Sequence, residues 1–243
     1  MKIIKLAISI LLVCVGGAFA QADPEFSKAN EEYAKGQFQD AIRDYETLVH
    51  SQQWSAPLFY NLGNAYFRSN DFGRAILNYE RALALDSHHP EAATNLSLAR
   101  DEARALELQK NRSDTLLRFV TPDQMTIAAV IAFWITIFSI AVPILRRRRS
   151  PVLLAVAVVA LVIAALSAMA VYYMESSRKT LAIVTAPEVE ARLATADNAG
   201  SVLHLPSGSE IRILSQRGDW LYALLPNNLR GWVPTNSVAS VRL

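Results

Sequence analysis

Two long stretches of the chain, 125–145 and 152–174, contain no Asp, Glu, Lys, Arg or His, and the four arginines 146–149 stand between them. Each stretch is long enough to cross about 30 Å of hydrocarbon as a helix. A helix that is apolar on every face has no polar side to turn to water, so the pair is expected to form a transmembrane hairpin. The expected limits are 121–145 for the first span, 146–151 for the arginine turn and 152–174 for the second span. Thr121, Pro122 and Gln124 carry an N-terminal capping signal, with a hydroxyl acceptor, a proline at the first helical position and a capping-box glutamine. Ser150 and Pro151 begin the second span in the same way.

The spans hold no charge at depth, which argues against an ion or proton path and leaves the hairpin as an anchor. Within it, small residues four apart form two rows: Ala128, Ala132 and Thr136 in the first span, and Ala160, Ala164 and Ala168 in the second. Helices in lipid approach through small residues, so these rows are expected to face each other.

Orientation follows from charge. The positive-inside bias puts the arginine turn in the cytoplasm. At the start of the chain Lys2 and Lys5 precede an apolar run over 6–15 and the sequence Ala18-Phe19-Ala20, the pattern of a signal peptide over 1–20. Cys14 is the only cysteine and falls inside that segment. After cleavage the chain is expected to have no thiol chemistry; lipidation of Cys14 is the less favoured alternative, because Val13 is bulky. Both signals place the soluble parts in the periplasm of a bacterial inner-membrane protein. The net charge is only +2, and no soluble segment is basic enough to suit nucleic acid.

Between the signal peptide and the first span the chain repeats itself at an offset of 34 residues. Ala29 falls on Gly63, Tyr33 on Phe67, Phe38 on Phe72, Ala41 on Ala75 and Tyr45 on Tyr79. This alternation of large and small positions resembles the tetratricopeptide repeat, which implies an all-α helical repeat domain over 21–120. Gly63 and Ala75 would let paired helices approach closely. A third copy is expected to begin at Pro90, where Asn95-Leu96 repeats Asn61-Leu62. The charged stretch after Ala99 is expected to continue as a capping helix towards the membrane. The resemblance implies a concave peptide-binding groove presenting Asn30 and Tyr33 from the first copy. Tyr60, Asn61, Asn64, Phe67 and Arg68 would follow from the second, and Asn95 from the third. An asparagine amide there could pair both its donor and its acceptor with an extended backbone. Phe26, Glu91 and Asn95 stand where carboxylate-gripping members of the family have basic residues, which disfavours a carboxy-terminal ligand.

From Leu181 the apolar period shortens to two. Short runs at 181–184, 202–205, 210–214, 220–225 and 231–234 are separated by turn residues, which predicts five strands in a small antiparallel barrel over 181–243. Gly218-Asp219-Trp220 and the run from Gly231 to Asn236 resemble an SH3 domain, and the segment around Ala186-Pro187-Glu188 resembles its bacterial SH3-like branch. That resemblance puts Trp220, Pro234 and Asn236 on a ligand surface; the alternative is core packing of Trp220 or Trp232, expected more of Trp232. Ser237 stands where the usual proline-binding pocket has a tyrosine, so peptide or cell-wall binding is expected rather than polyproline recognition.

No catalytic signature is present. His88-His89 has no third metal ligand in reach, and nucleophile-elbow, phosphate-loop, zinc-protease and dinucleotide-binding motifs are missing from the sequence. The chain is therefore read as non-enzymatic, without cofactor, metal or catalytic residues. Its order of parts, from helical repeats through a hairpin to an SH3-like module, resembles the BatE-like proteins of bacterial aerotolerance operons. The resemblance implies membrane partners with von Willebrand factor A domains, served by a MoxR-type ATPase, in oxidative or envelope stress. The residues by themselves imply an adaptor held at the lipid bilayer. The alternative is a membrane protein that docks on peptidoglycan.

Overall fold

The computed structural model describes residues 24–109, 120–147, 150–196 and 198–242. The expected signal peptide, with Cys14, lies outside these residues, as do Arg148 and Arg149 of the turn. The chain divides into two compact units, one ending at Gln53 and one beginning at Trp54.

In the first unit α1 (Pro24–Ala34) and α2 (Phe38–His50) form an antiparallel pair. Gly36 turns the chain between them at φ +79°, a left-handed conformation that glycine adopts without steric cost. Ala29 and Ala41 are fully buried, as is Tyr45. The small residues bring the helices together and the ring fills the space beside them.

The second unit repeats this design in α3 (Ala56–Arg68) and α4 (Phe72–Leu85). Ser55 caps α3 by accepting from the Leu58 N–H at 3.3 Å, and Asp71 caps α4 by accepting from the Arg74 N–H at 3.1 Å. At Gly63 a Cβ would stand 2.7 Å from the Tyr79 ring and 3.3 Å from the Ala75 carbonyl, so the close approach requires glycine there. The third copy begins at Pro90, with α5 (Pro90–Ala103).

The charged stretch after Ala99 stays helical only to Ala103 and leaves the helix over the described residues 104–109. Arg104 adopts a left-handed conformation at φ 51°, and the Ala105 N–H closes back on the Arg100 carbonyl. The chain then runs along the carboxy-terminal sheet. The Glu210 N–H donates to the Leu106 carbonyl, the Leu106 N–H donates to the Ser209 hydroxyl, and Leu106 packs against the sheet's core. Burying Leu106 with both backbone groups paired outweighs a few more turns of solvated, mixed-charge helix.

Two long apolar helices follow, α6 (Pro122–Leu145) and α7 (Pro151–Lys179). Both are long and apolar enough to cross a membrane. The Thr121 capping box is formed in both directions, and the Ser150 hydroxyl accepts from the Leu153 N–H. The seam between the helices differs from the expected rows. Ala132, Thr136 and Ser139 are buried on α6, with Ala157, Ala160 and Ser167 on α7, whereas Ala164 is half-buried and Ala168 is exposed. A row spaced by four rotates steadily around a helix of 3.6 residues per turn. Alternating steps of three and four hold one face towards a neighbour at a shallow crossing angle, and that is the spacing of the buried residues.

After α7 come seven strands: β1 (Leu181–Val184), β2 (Glu188–Arg192), β3 (Ser201–Pro206), β4 (Glu210–Arg217), β5 (Trp220–Leu224), β6 (Arg230–Pro234) and β7 (Val238–Ser240). They make one antiparallel sheet in the order β3-β2-β6-β5-β4-β1-β7. The expected five-stranded barrel is thus a seven-stranded open sheet, with β3 and β7 at its edges. β2 was hidden from the sequence reading by its charges, because Glu188, Glu190 and Arg192 alternate with buried Val189 and Ala191. β7 is only three residues long, and Arg81 of α4 donates to its Ser240 carbonyl.

The second repeat and the sheet pack directly on each other. A Cβ at Gly73 of α4 would collide with the Ser207 hydroxyl and stand 3.1 Å from the Val184 carbonyl. Gly208, at φ +86°, lies against Ile76. Arg100 of α5 bonds Glu80 of α4 at 2.5 Å and also bonds Glu210 of β4, all three side chains being less than a fifth exposed. The other Glu210 oxygen accepts from the Leu108 N–H at 3.2 Å. Burial lowers the Arg81 guanidinium from its ordinary value to about 10. Segments before and after the apolar hairpin therefore share one interface.

Candidate protein-interaction surfaces

The asparagines expected in the groove recur in register, and the structure gives two of them the same task. Asn30 Oδ1 accepts from the Tyr45 hydroxyl at 2.6 Å, and Asn64 Oδ1 accepts from the Tyr79 hydroxyl at 2.8 Å. Both tyrosines are buried, and a buried hydroxyl without an acceptor is costly, so each repeat carries its own asparagine–tyrosine lock. Asn95 of α5 donates its amide to the same Asn64 oxygen at 2.9 Å and reaches the Tyr60 hydroxyl at 3.4 Å. These contacts tie α3, α4 and α5 together through side chains that could otherwise grip a ligand's backbone.

The remaining groove positions lie on α1 and α3. Tyr33 packs against Phe38 with ring centroids 5.4 Å apart, and Phe67 meets Phe72 edge-on at the same distance. Tyr60 lies between Tyr79 at 6.2 Å and the His89 ring at 4.8 Å. Asn61 is half-buried and Arg68 is exposed. His89 serves as the cap of α5, its Nδ1 accepting from the Ala92 N–H at 3.3 Å.

On the sheet, Trp220 of β5 pairs directly with Pro234 of β6, so their side chains share a face. Asn236 is exposed in the short 3-10 turn that follows. The expected inward placement of Trp232 is corrected. Trp232 pairs with Tyr222, their ring centroids are 5.0 Å apart, and both are half-buried on the face that carries Trp220. The core takes the alternate residues Leu221, Ala223 and Val233 instead. Sequence reasoning missed Tyr222 and Trp232 as surface aromatics. The period of two in Trp220-Leu221-Tyr222-Ala223 was the signal available.

A cleft of about 730 Å³ opens where α4 and α5 meet the sheet. Asp71, Arg74, Glu102 and Arg104 line it from the helices, and Glu188 and His204 from β2 and β3. The sequence held no sign of this cleft, because its walls come from segments on opposite sides of the apolar hairpin in sequence.

Residues 56–89, which cover α3, α4 and the turn after them, match the tetratricopeptide repeat family. No curated protein matches the chain. Tetratricopeptide repeats generally mediate protein–protein interaction.

Proposed function

We propose that the chain is a non-enzymatic adaptor, anchored by its two apolar helices in the bacterial inner membrane, with the helical repeats and the sheet presented to the periplasm. The observation that carries the reading is the packing of a tetratricopeptide repeat against the sheet that follows the hairpin. Two crossings return a chain to the side it left, so a hairpin of two spans permits that packing and a single span forbids it. The arginines at 146–149 then favour the cytoplasm for the turn, which leaves the joined modules outside. Apolar side chains cover the outer faces of both helices, including Ile131, Phe138, Val159 and Leu166, as lipid contact requires.

In this reading the adaptor holds membrane-protein partners through α3 and through the SH3-like face around Trp220, Pro234 and Asn236. Its resemblance to BatE-like proteins supports partners with von Willebrand factor A domains and a role in aerotolerance or envelope stress. Photoreactive amino acids at Asn61 and Trp220 in intact cells test this. Crosslinks to a membrane protein carrying such a domain are expected at one or both positions. Crosslinks to peptidoglycan alone would replace the adaptor by a wall-docking protein, and the absence of any crosslink above a lipid-facing control at Val159 would refute both.

A further inference from the structure

The cleft between the second repeat and the sheet has a floor whose chemistry follows from strand register. Glu188 pairs with Pro206 and Glu190 with His204, so these side chains share the outer face of β2 and β3, while Val189 and Leu205 point into the core. A second hollow of about 350 Å³ continues from Glu188 and His204 towards Pro234. The two hollows share Glu188 and His204 and so border each other along β2 and β3.

Its charges do not cancel. Arg74 is held by Asp71 at 3.1 Å, and Arg192 stands 3.9 Å from Glu190. Glu102 and Glu188 have no ion partner among the described residues, and Arg104 is the one lining guanidinium there without a carboxylate. The carbonyl end of α5 also closes at Arg104, which adds partial negative charge at the wall. The positive end of α4 is already covered by the Asp71 carboxylate. A mixed wall with unpaired acid in excess, between rigid proline sides at Pro187 and Pro206, complements a chain that brings its own cation.

We propose that this cleft binds an extended peptide segment carrying lysine or arginine, with the cation set against Glu102 and Glu188. The inference rests on the adaptor reading and adds to it a second binding place, distinct from the α3 groove, with a stated preference. It assigns the cleft to a protein partner whose recognised segment is basic. Because the walls come from both modules, the site exists only while the repeat and the sheet are packed together.

The test uses the full chain in phosphatidylcholine nanodiscs and a random-peptide phage library, followed by fluorescence anisotropy with the selected peptides. Selected peptides should be enriched in lysine or arginine. Glu102→Gln with Glu188→Gln should weaken them about five-fold, as expected for two partly exposed ion pairs, while Arg104→Gln should tighten them. All three positions are solvent-facing, and thermal melts of the variants check that folding is unchanged. Neutral or acidic peptides, or basic peptides indifferent to the three variants, would overturn the proposal. If selected peptides ignore the cleft variants but are lost in Asn61→Arg, the groove reading stands and the cleft falls. If no peptide is selected over empty nanodiscs, both fall.

Discussion

Arg100 is the side chain on which the joint between repeat and sheet turns. It stands between Glu80 and Glu210, and all three are less than a fifth exposed. Replacing it with Met keeps much of the packing but removes the guanidinium that Glu80 and Glu210 share, with Glu107 3.6 Å from the same group. Removing one partner from such a buried cluster costs about 3 kcal/mol or more, because the remaining charges stay desolvated. For a chain of this size that corresponds to a fall in Tm of roughly 6 to 12 °C. The measurement is tryptophan fluorescence during thermal unfolding of the detergent-solubilised protein, with Trp220 and Trp232 reporting on the sheet. The sharper expectation concerns sign. In the native background Glu210→Gln removes a charge-assisted bond and should destabilise by about 1 to 2 kcal/mol. In the Arg100→Met background the same change removes a repulsion and should stabilise. Equal effects of Glu210→Gln in the two backgrounds would refute the account of the joint.

Asn64→Ala should destabilise the repeat by about 1 to 3 kcal/mol, since the buried Tyr79 hydroxyl loses its acceptor, and Tyr79→Phe in that background should recover part of the loss in a thermal melt. Gly63→Ala should cost about 1 to 3 kcal/mol through the collision with the Tyr79 ring, read by circular dichroism of the helices. In the hairpin, cysteines at Ser139 and Ala157 should form a disulfide under oxidation, whereas the pair at Ala128 and Ala168 should not, because Ala168 faces outward; the opposite result restores the four-residue rows. In a background without Cys14, cysteines at the exposed Ser87 and Ser215 should react with a membrane-impermeant thiol reagent in spheroplasts, and one at Ser150 should be protected. Labelling at Ser150 would overturn the orientation.

Local patterns carried what depends on neighbours in sequence. Uncharged runs set α6 and α7, the Thr121 and Ser150 caps set where they begin, and the repeat offset located α1 to α4 with the glycine and alanine at their contact. The resemblance put Trp220 and Pro234 on one ligand surface, and the pairing of β5 with β6 is what sets them opposite each other. Sequence reasoning did not find β2, whose buried face consists of only Val189 and Ala191 between charges, and it mistook the side to which Trp232 turns.

Groove asparagines illustrate a different limit. Their recurrence marked them as special, and recurrence alone cannot distinguish a ligand contact from an internal lock. The hydrogen bonds from Tyr45 and Tyr79 assign Asn30 and Asn64 a structural task, because a buried hydroxyl takes whatever acceptor packing brings to it.

The sequence by itself therefore determined the parts of this protein: paired helices at a fixed period, two apolar helices and a strand-rich end. These follow from periodicity, capping and hydropathy, which act over a few residues. Tertiary structure alone decided that the second repeat and the sheet form one body. α5 stops at Ala103 because Leu106 has a better place in the sheet's core, and Arg100, Gly73 and the acidic cleft acquire their roles from partners on the far side of the hairpin in sequence. Burial and charge pairing at that range depend on which surfaces meet, and no local pattern in the chain encodes that meeting.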